Sequence, residues 1–586
     1  MSIKNIQSFV DLLKSKGELI EIKEKVSPYL EIAEIHRRVI AKQGPALLFT
    51  NVENSTFPVV TNLFGTKERV DLAFGNQPKE FVHKAVAAMH ELMPPTLSKI
   101  WDYKSLLFSA TKLGTKRKSS GAILQSGKLL PHIDKLPVVT SWKSDGGPFV
   151  TLPLVYTEHP ETGIHNLGMY RIQVYDKETT GIHWQIHKGG GFHYSVAEKQ
   201  KKHLPLNLYI GGPPALILSA IAPLPENVPE LILASLLYGQ KIETTKDPHG
   251  GYDLISEVEF AFVGEVRPFE RKPEGPFGDH YGYNSLQHDY PVFHINRAYQ
   301  RKNAIYPATI VGKPKQEDFY LGDYLQDLLS PLFPIVMPAV KQLWSYGDTG
   351  FHCLAAASVK VRYPKEAFAS GLRILGEGQL SLTKNLFLID GDIDLKNFKA
   401  LMPYILERCD FESDLFIFSN VSQDTLDYTG PSVNEGSKML LIGVGAPKRK
   451  LPHQFKESLP EGVLIGEAFC PGVLVVEGDN YLANKELPNK IAAHHSLKEW
   501  PMIFLVDKGS NIKQDEGKFL WITFTRFEPA NDIYASKSAV IRHHNCLSAP
   551  IVIDCRKKPW HTEELEVDAA TAELVDKKWE KLGLSF

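Results

Sequence analysis

Ile6, Phe9, Val10 and Leu13 recur at helical spacing and stop at Gly17. Leu19-Ile-Glu-Ile22 then alternates as a strand does, and a second amphipathic pattern runs to Gly44, so the opening reads α/β. From about 78 to 120 the pattern is helical and then polar, closing on Lys116-Arg-Lys-Ser-Ser-Gly121. No aromatic residue interleaves those cations, so a solvated linker is expected there rather than a nucleic-acid signal. From about 149 to 312 the texture changes to short β-rich runs between Gly, Pro and Asp turns, among them Arg171-Ile-Gln-Val-Tyr175 and Ile182-His-Trp-Gln-Ile186. These predict a mainly antiparallel sheet or barrel. Phe319 to Trp344 is apolar at helical spacing, broken by Pro331, Pro334 and Pro338, and reads as a helical connector between domains. Beyond Gly350, Leu386-Phe-Leu-Ile-Asp390, Leu415-Phe-Ile-Phe418, Met439-Leu-Leu-Ile-Gly443 and Ile503-Phe-Leu-Val506 alternate with helical patterns, as in a parallel α/β sheet. No internal repeat is read from the residues.

Composition narrows the classes. The chain has 586 residues, 43% hydrophobic, enough for a sizeable core in several domains. Its 66 basic and 68 acidic residues nearly cancel, so no global field favours nucleic acid or an anionic membrane. Cys353, Cys409, Cys470, Cys546 and Cys555 form no CxxC pair, which argues against a disulfide framework or structural zinc and for a reducing, cytoplasmic setting. The N-terminus lacks an apolar leader, and apolar runs such as Leu231 to Tyr238 are too short to span a bilayer. Gly430-Pro-Ser-Val-Asn-Glu-Gly436 misses the phosphate-loop pattern, and Gly443-Val-Gly445 lacks the third glycine of a dinucleotide fingerprint.

Candidate chemistry concentrates in the β-rich region. In Glu274-Gly-Pro-Phe-Gly-Asp279 two carboxylates bracket a turn that cannot be helix. Burial and like-charge repulsion are expected to raise at least one pKa, as a proton donor near neutral pH requires. In Asn166-Leu-Gly-Met-Tyr-Arg171 an unbroken strand would put Asn166 and Arg171 on opposite faces, so a bulge or turn is expected near Gly168. Arg171 offers a planar fork for a carboxylate. Trp184-Gln-Ile-His187-Lys-Gly-Gly-Gly191 sets an imidazole before glycines whose bare backbone can approach an anion, and Glu243 ends a strand-like run. Asn166, His187 and Glu243 make a hard-to-borderline donor set suited to Mn²⁺ or Mg²⁺ bridging to a phosphate. Neighbouring side chains of His494-His495 and His543-His544 diverge, which speaks against metal sites there.

In order and spacing, Asn166-Leu-Gly-Met-Tyr-Arg171, Trp184-Gln-Ile-His187-Lys-Gly-Gly190, Ile210-Gly-Gly-Pro-Pro-Ala215, Glu243-Thr-Thr245 and Glu274-Gly-Pro-Phe-Gly-Asp279-His-Tyr-Gly-Tyr283 resemble the UbiD family of prenylated-flavin decarboxylases. Lys360-Val-Arg-Tyr-Pro364 and Glu435-Gly-Ser-Lys-Met439 extend the resemblance into the second half. It implies an N-terminal α/β region with a helical insertion (1–125), a split β-barrel holding prenylated FMN (126–317), a helical connector (318–348), a C-terminal α/β oligomerisation domain (349–530) and an extension (531–586). Carried over by residue, Asn166, His187 and Glu243 would hold Mn²⁺, with K⁺ nearby, and Asn166, Arg171, Gln173, His187 and Glu243 would surround the cofactor. Arg171, Glu274 and Asp279 would be catalytic, with Asp279 as the acid and Glu274 buffering it.

The implied reaction is the non-oxidative, reversible decarboxylation of an aromatic or α,β-unsaturated acid. Loss of CO₂ from an sp² carbon leaves charge with nowhere to delocalise, and the modified flavin would supply the electron sink. The expected substrate is a quinone precursor such as a polyprenyl-hydroxybenzoate or dihydroxynaphthoate. A flavin prenyltransferase would supply the cofactor, and a homo-oligomer, dimer or hexamer, is expected, with peripheral membrane contact left open and no nucleic-acid partner. The alternative is a non-catalytic flavin carrier or assembly subunit.

Overall fold

The structure is a computed structural model that describes residues 3–91, 108–126, 132–185, 188–224, 228–313, 315–510, 512 and 515–584. The chain divides into two compact units, one of residues 1–328 with 564–586 and one of 329–563.

The first unit opens as the apolar spacing predicts. Helix Ile6–Ser15 buries Ile6, Phe9, Val10 and Leu13 and is started by Asn5, whose side chain accepts from the Ser8 amide at 2.9 Å. A four-stranded sheet follows, in the order Leu19–Ile22, Ala46–Phe49, Val59–Thr61 and Tyr306–Pro307. The β-rich region forms an eight-stranded sheet. Its order is Phe149–Val150, Ile172–Val174, Thr179–Ile182, His288–Gln300, Phe260–Glu274, Leu204–Ile210, Pro153–Glu158 and His165–Gly168. All its pairings are antiparallel. Among the described residues the outer strands, Phe149–Val150 and His165–Gly168, do not pair, so the region expected as a split barrel is an open antiparallel sheet. One apolar core runs from Ile22, Phe49 and Val59 through Ile172, Leu206, Phe262 and Phe293 to Val575 and Leu582 of the returning C-terminal segment.

The basic cluster read as a linker is instead a strand. Thr115–Lys118 pairs in parallel with Ile242–Thr245, where Lys118 meets Glu243 at 2.5 Å and Arg117 meets Asp253 at 2.5 Å. Local acids neutralise the repulsion that would have kept this segment solvated. The helical reading of 78 to 120 holds for Gln77–Glu91, and 92–107 lie outside the described residues. The apolar connector is helix Glu317–Leu329, a tight turn at Pro331 and a short helix Phe333–Val336, but its last part, Val340–Ser345, is a strand.

The second unit holds two five-stranded sheets rather than one, each over its own apolar core. The strands of the first are Val340–Ser345, Leu354–Val359, Asn385–Ile389, Leu415–Ser422 and Glu435–Gly443. Those of the second are Val463–Cys470, Val473–Gly478, Met502–Asp507, Ile533–Ile541 and His544–Asp554. In both, the spatial order is first, second, third, fifth, fourth. His543 occupies the tip of the last hairpin with φ 62°, a turn position rather than a metal site.

Candidate active site

Strand His165–Gly168 ends at Gly168, where the Met169 amide turns away to Ala220 O at 3.1 Å; the Tyr170 hydroxyl lies 2.1 Å from where a Cβ on Gly168 would stand, so a side chain has no room there. This is the break expected between Asn166 and Arg171. Glu274 ends the long strand Phe260–Glu274 and is fully buried. Gly275 follows at φ 92°, a region that favours glycine. The chain then loops back through hydrogen bonds from Asp279 N to Tyr283 O at 3.1 Å and Ser285 N to Phe277 O at 2.8 Å. Asp145 accepts from Gly278 N at 2.8 Å, and a Cβ on Gly278 would stand 2.1 Å from the Trp142 ring.

Within this frame Arg171 gathers both acids. Its Nε and Nη2 donate to the two oxygens of Glu274 at 2.8 Å each, Nη1 donates to Asp279 Oδ2 at 2.5 Å, and Nη2 also donates to Ser285 Oγ at 2.9 Å. The guanidinium lies 4.9 Å over the Phe277 ring. Burial pushes the Glu274 carboxyl up, but the charge and fork of Arg171 outweigh it and hold the group at about 2. Burial acts likewise on Asp279, and hydrogen bonds from His280 with the Arg171 charge hold it well below the usual range. The expectation of a raised pKa is thereby corrected: a guanidinium between the acids replaces their repulsion by attraction.

Two histidines missed by sequence reasoning complete the group. His183 places Nδ1 3.2 Å from Glu274 Oε2 and its ring 4.3 Å from Tyr290, while its buried Nε2 has no partner among the described residues. Burial and then Arg171 lower its pKa, which keeps it neutral at pH 7. Its only sequence signal was a place in the Ile182-His-Trp run. His280 sets Nδ1 2.8 Å from Asp279 Oδ1 and is partly exposed, and it stood beside Asp279 in the quoted motif.

The expected metal set is Asn166, His187 and Glu243. The acid beside Asn166 is Glu230: Asn166 Nδ2 donates to Glu230 Oε1 at 2.6 Å and Leu167 N to Oε2 at 2.8 Å. Glu230 opens helix Glu230–Tyr238, and burial raises its pKa. Glu243 instead pairs with Lys118, because the strand Ile242–Thr245 aligns it with the basic strand. Gln173, expected around the cofactor, is held by backbone at both ends of its amide. Its amide donates to Gly146 O at 2.9 Å and accepts from Gly275 N at 2.8 Å, so both ends brace the Glu274 turn. His187 lies outside the described residues. The glycines after it open helix Gly189–Lys199, where a Cβ on Gly189 would stand 2.7 Å from Asn166 Nδ2 and one on Gly190 2.8 Å from Trp184 Nε1. Among the described residues no three His, Cys, Asp or Glu side chains gather into a metal-holding group.

The C-terminal segment reaches this region. Leu565 N donates to Gly282 O at 3.1 Å, Glu564 forms an antiparallel bridge with Tyr283, and Lys313 Nζ meets Glu564 at 2.8 Å. The turn bearing Asp279 is therefore held from outside by the end of the chain.

A buried arginine forked onto one acid and bonded to a second stands on an antiparallel sheet, and comparison with known proteins says what class of protein carries it. The family models for the N-terminal, Rift-related and C-terminal domains of 3-octaprenyl-4-hydroxybenzoate carboxy-lyase match residues 10–89, 116–314 and 319–443. A Chlamydia trachomatis protein is 49% identical over 581 residues, covering 98% of this chain and 99% of that one. A Chlamydia pneumoniae protein whose name makes it part of a 4-hydroxybenzoate decarboxylase is 48% identical over 574 residues, covering 98% and 97%. Among solved structures, the vanillic acid decarboxylase of Sedimentibacter hydroxybenzoicus matches with TM-score 0.67 at 23% identity, covering 78% of this chain and 95% of that one. The UbiD-class enzyme HmfF of Pelotomaculum thermopropionicum, solved with FMN, matches with TM-score 0.62 at 22% identity, covering 78% and 98%. The chain belongs to the UbiD family and is a carboxy-lyase.

Proposed function

We propose that this chain removes CO₂ reversibly from an aromatic carboxylic acid of the 4-hydroxybenzoate type, working with prenylated FMN and Mn²⁺. The observation that carries the reading is the bonding of Arg171 to Glu274 and Asp279 together. The name of the Chlamydia pneumoniae relative supports the substrate class. The donor chemistry fits the cation: an amide oxygen of Asn166 and a carboxylate of Glu230 are hard donors, beside the glycine-rich start of helix Gly189–Lys199. Asn166, Glu230 and His187 would hold it with the flavin phosphate. When bound, prenylated FMN supplies the electron sink that the substrate ring lacks.

The chain's own groups manage charge and protons. Arg171 turns part of its fork to the incoming carboxylate, which weakens its hold on Asp279 and adds a third anion. Both effects raise the Asp279 pKa, so an acid held ionised at rest becomes a proton donor once substrate is bound. The carbon–carboxyl bond breaks, CO₂ leaves without its bonding pair, and a carbon–hydrogen bond forms with the Asp279 proton. His280, bonded to Asp279 and partly exposed, returns the proton from water. Glu274 stays ionised and keeps Arg171 in place.

Protein co-expressed with a flavin prenyltransferase and loaded with Mn²⁺ is expected to release CO₂ from 4-hydroxybenzoate, and Asp279→Asn to abolish release at unchanged flavin content. If the chain were only a flavin carrier for a catalytic partner, the substitution would leave the partner's turnover intact.

A further inference from the structure

The two sheets of the second unit belong to segments whose elements follow the same order, apart from a turn Gly347–Thr349 between the first two strands of the first. After two antiparallel strands, the first continues through helix Glu366–Leu375, a tight turn Gly378–Leu382 and strand Asn385–Ile389. It then runs through helix Phe398–Arg408, the short helix Phe411–Asp414 and the closing hairpin. The second likewise follows its strand pair with helix Leu487–Ala493, turn His495–Leu497, strand Met502–Asp507, helix Glu516–Thr525, short helix Pro529–Asp532 and a closing hairpin. Registers correspond as well. Asn385 opposes Met439 and Leu415 opposes Leu441; Met502 opposes Ile551 and Ile533 opposes Ile553. Equating Asn385 with Met502 therefore equates Leu415 with Ile533 through two independent pairings. The residues keep a trace of this in Leu386-Phe-Leu-Ile-Asp390 and Ile503-Phe-Leu-Val-Asp507. The short helices are closed alike, by Asp410 N to Asp414 Oδ2 at 3.0 Å and by Glu528 N to Asp532 Oδ2 at 2.7 Å. A shared α/β handedness would give the right-handed crossovers. It would not give the same edge hairpin, register and helix closure.

The segments also touch reciprocally. The short helix of the first packs on the last strand of the second, and the short helix of the second on the last strand of the first. Ser548 Oγ donates to Glu412 Oε1 at 2.6 Å and Ser437 Oγ donates to Glu528 Oε1 at 2.6 Å, so each short helix is tied to the other segment's last strand by a serine–glutamate bond, made at neighbouring rather than equivalent positions. Contact of one patch with its own counterpart is the mark of a twofold self-pairing interface. The matched C-terminal family model ends at 443, with the first segment, so the second lies outside it.

We propose that residues 340–443 and 463–554 are two copies of one unit, and that the face between them is a self-pairing surface satisfied within the chain. A second chain then finds no vacancy on it, and any oligomer of whole chains forms elsewhere. The inference is independent of the decarboxylase reading. It is tested on the full-length protein by Ser548→Asp, which sets a carboxylate against Glu412, and by the milder Ser548→Ala. Peptide-resolved hydrogen exchange should rise about tenfold, the rate equivalent of one lost hydrogen bond, in both Phe411–Asp414 and Pro529–Asp532, because the pair loosens as a unit. The number of chains per particle, measured by light scattering, should not change. Exchange that stays unchanged, or rises in one short helix alone, would overturn the pairing, and a fall in that number would show that the face joins separate chains.

Discussion

At the scale of single residues, the site is a contest between burial and one guanidinium. Glu274 sits at about 2, below its ordinary 4.5, so it stabilises the fold above the ordinary value and that contribution fades as pH falls toward 2. Arg171→Met reverses the sign. Glu274, buried without its counter-charge, would have a raised pKa, while Asp279 keeps His280, so the variant should lose roughly 3–5 kcal/mol at pH 7 and regain part of it on acidification toward pH 5. Urea unfolding at the two pH values checks this; a variant whose stability falls in parallel with the wild type would refute the pairing. Metal binding separates two acids in the same way. Glu230→Gln should weaken Mn²⁺ retention by about tenfold or more, while Glu243→Gln should leave it unchanged, as metal analysis after gel filtration will show. Arg171, Glu274 and Asp279 were legible because two lie in one motif and the third ends another. Glu230 was not, since it opens an apolar helix and becomes notable only when folding brings it to Asn166.

At the scale of elements, the decisive piece is the turn from Gly275 to Ser285 and the chain end that holds it. Leu565→Pro removes the amide that donates to Gly282 O, whereas Leu565→Ala keeps it. If the strap positions Asp279, the proline variant should lose on the order of tenfold to a hundredfold in kcat with little change in KM, and the alanine variant much less. Equal losses in both would assign the effect to packing of the Leu565 side chain. Sequence pattern located the first helix and the antiparallel runs because each buries one face at a regular period. It misread Thr115–Lys118, whose strand state is set by a distant partner, and the end of the connector, where apolar content is shared by helix and strand alike.

At the scale of the whole molecule, the first unit carries the proposed chemistry and the second carries a duplicated α/β unit. The class of fold could be read from alternating patterns, but the duplication could not. It survives as strand order and register, and few side chains still record it. No helix among the described residues is long and apolar enough to cross a membrane. The proposal that Asp279 protonates the carbon from which CO₂ departs is tested most directly by turning over 4-hydroxybenzoate in D₂O with cofactor-loaded protein. One deuteron should appear at the vacated ring carbon with the wild type, and neither product nor label with Asp279→Asn. Product formed at an undiminished rate by Asp279→Asn would contradict it.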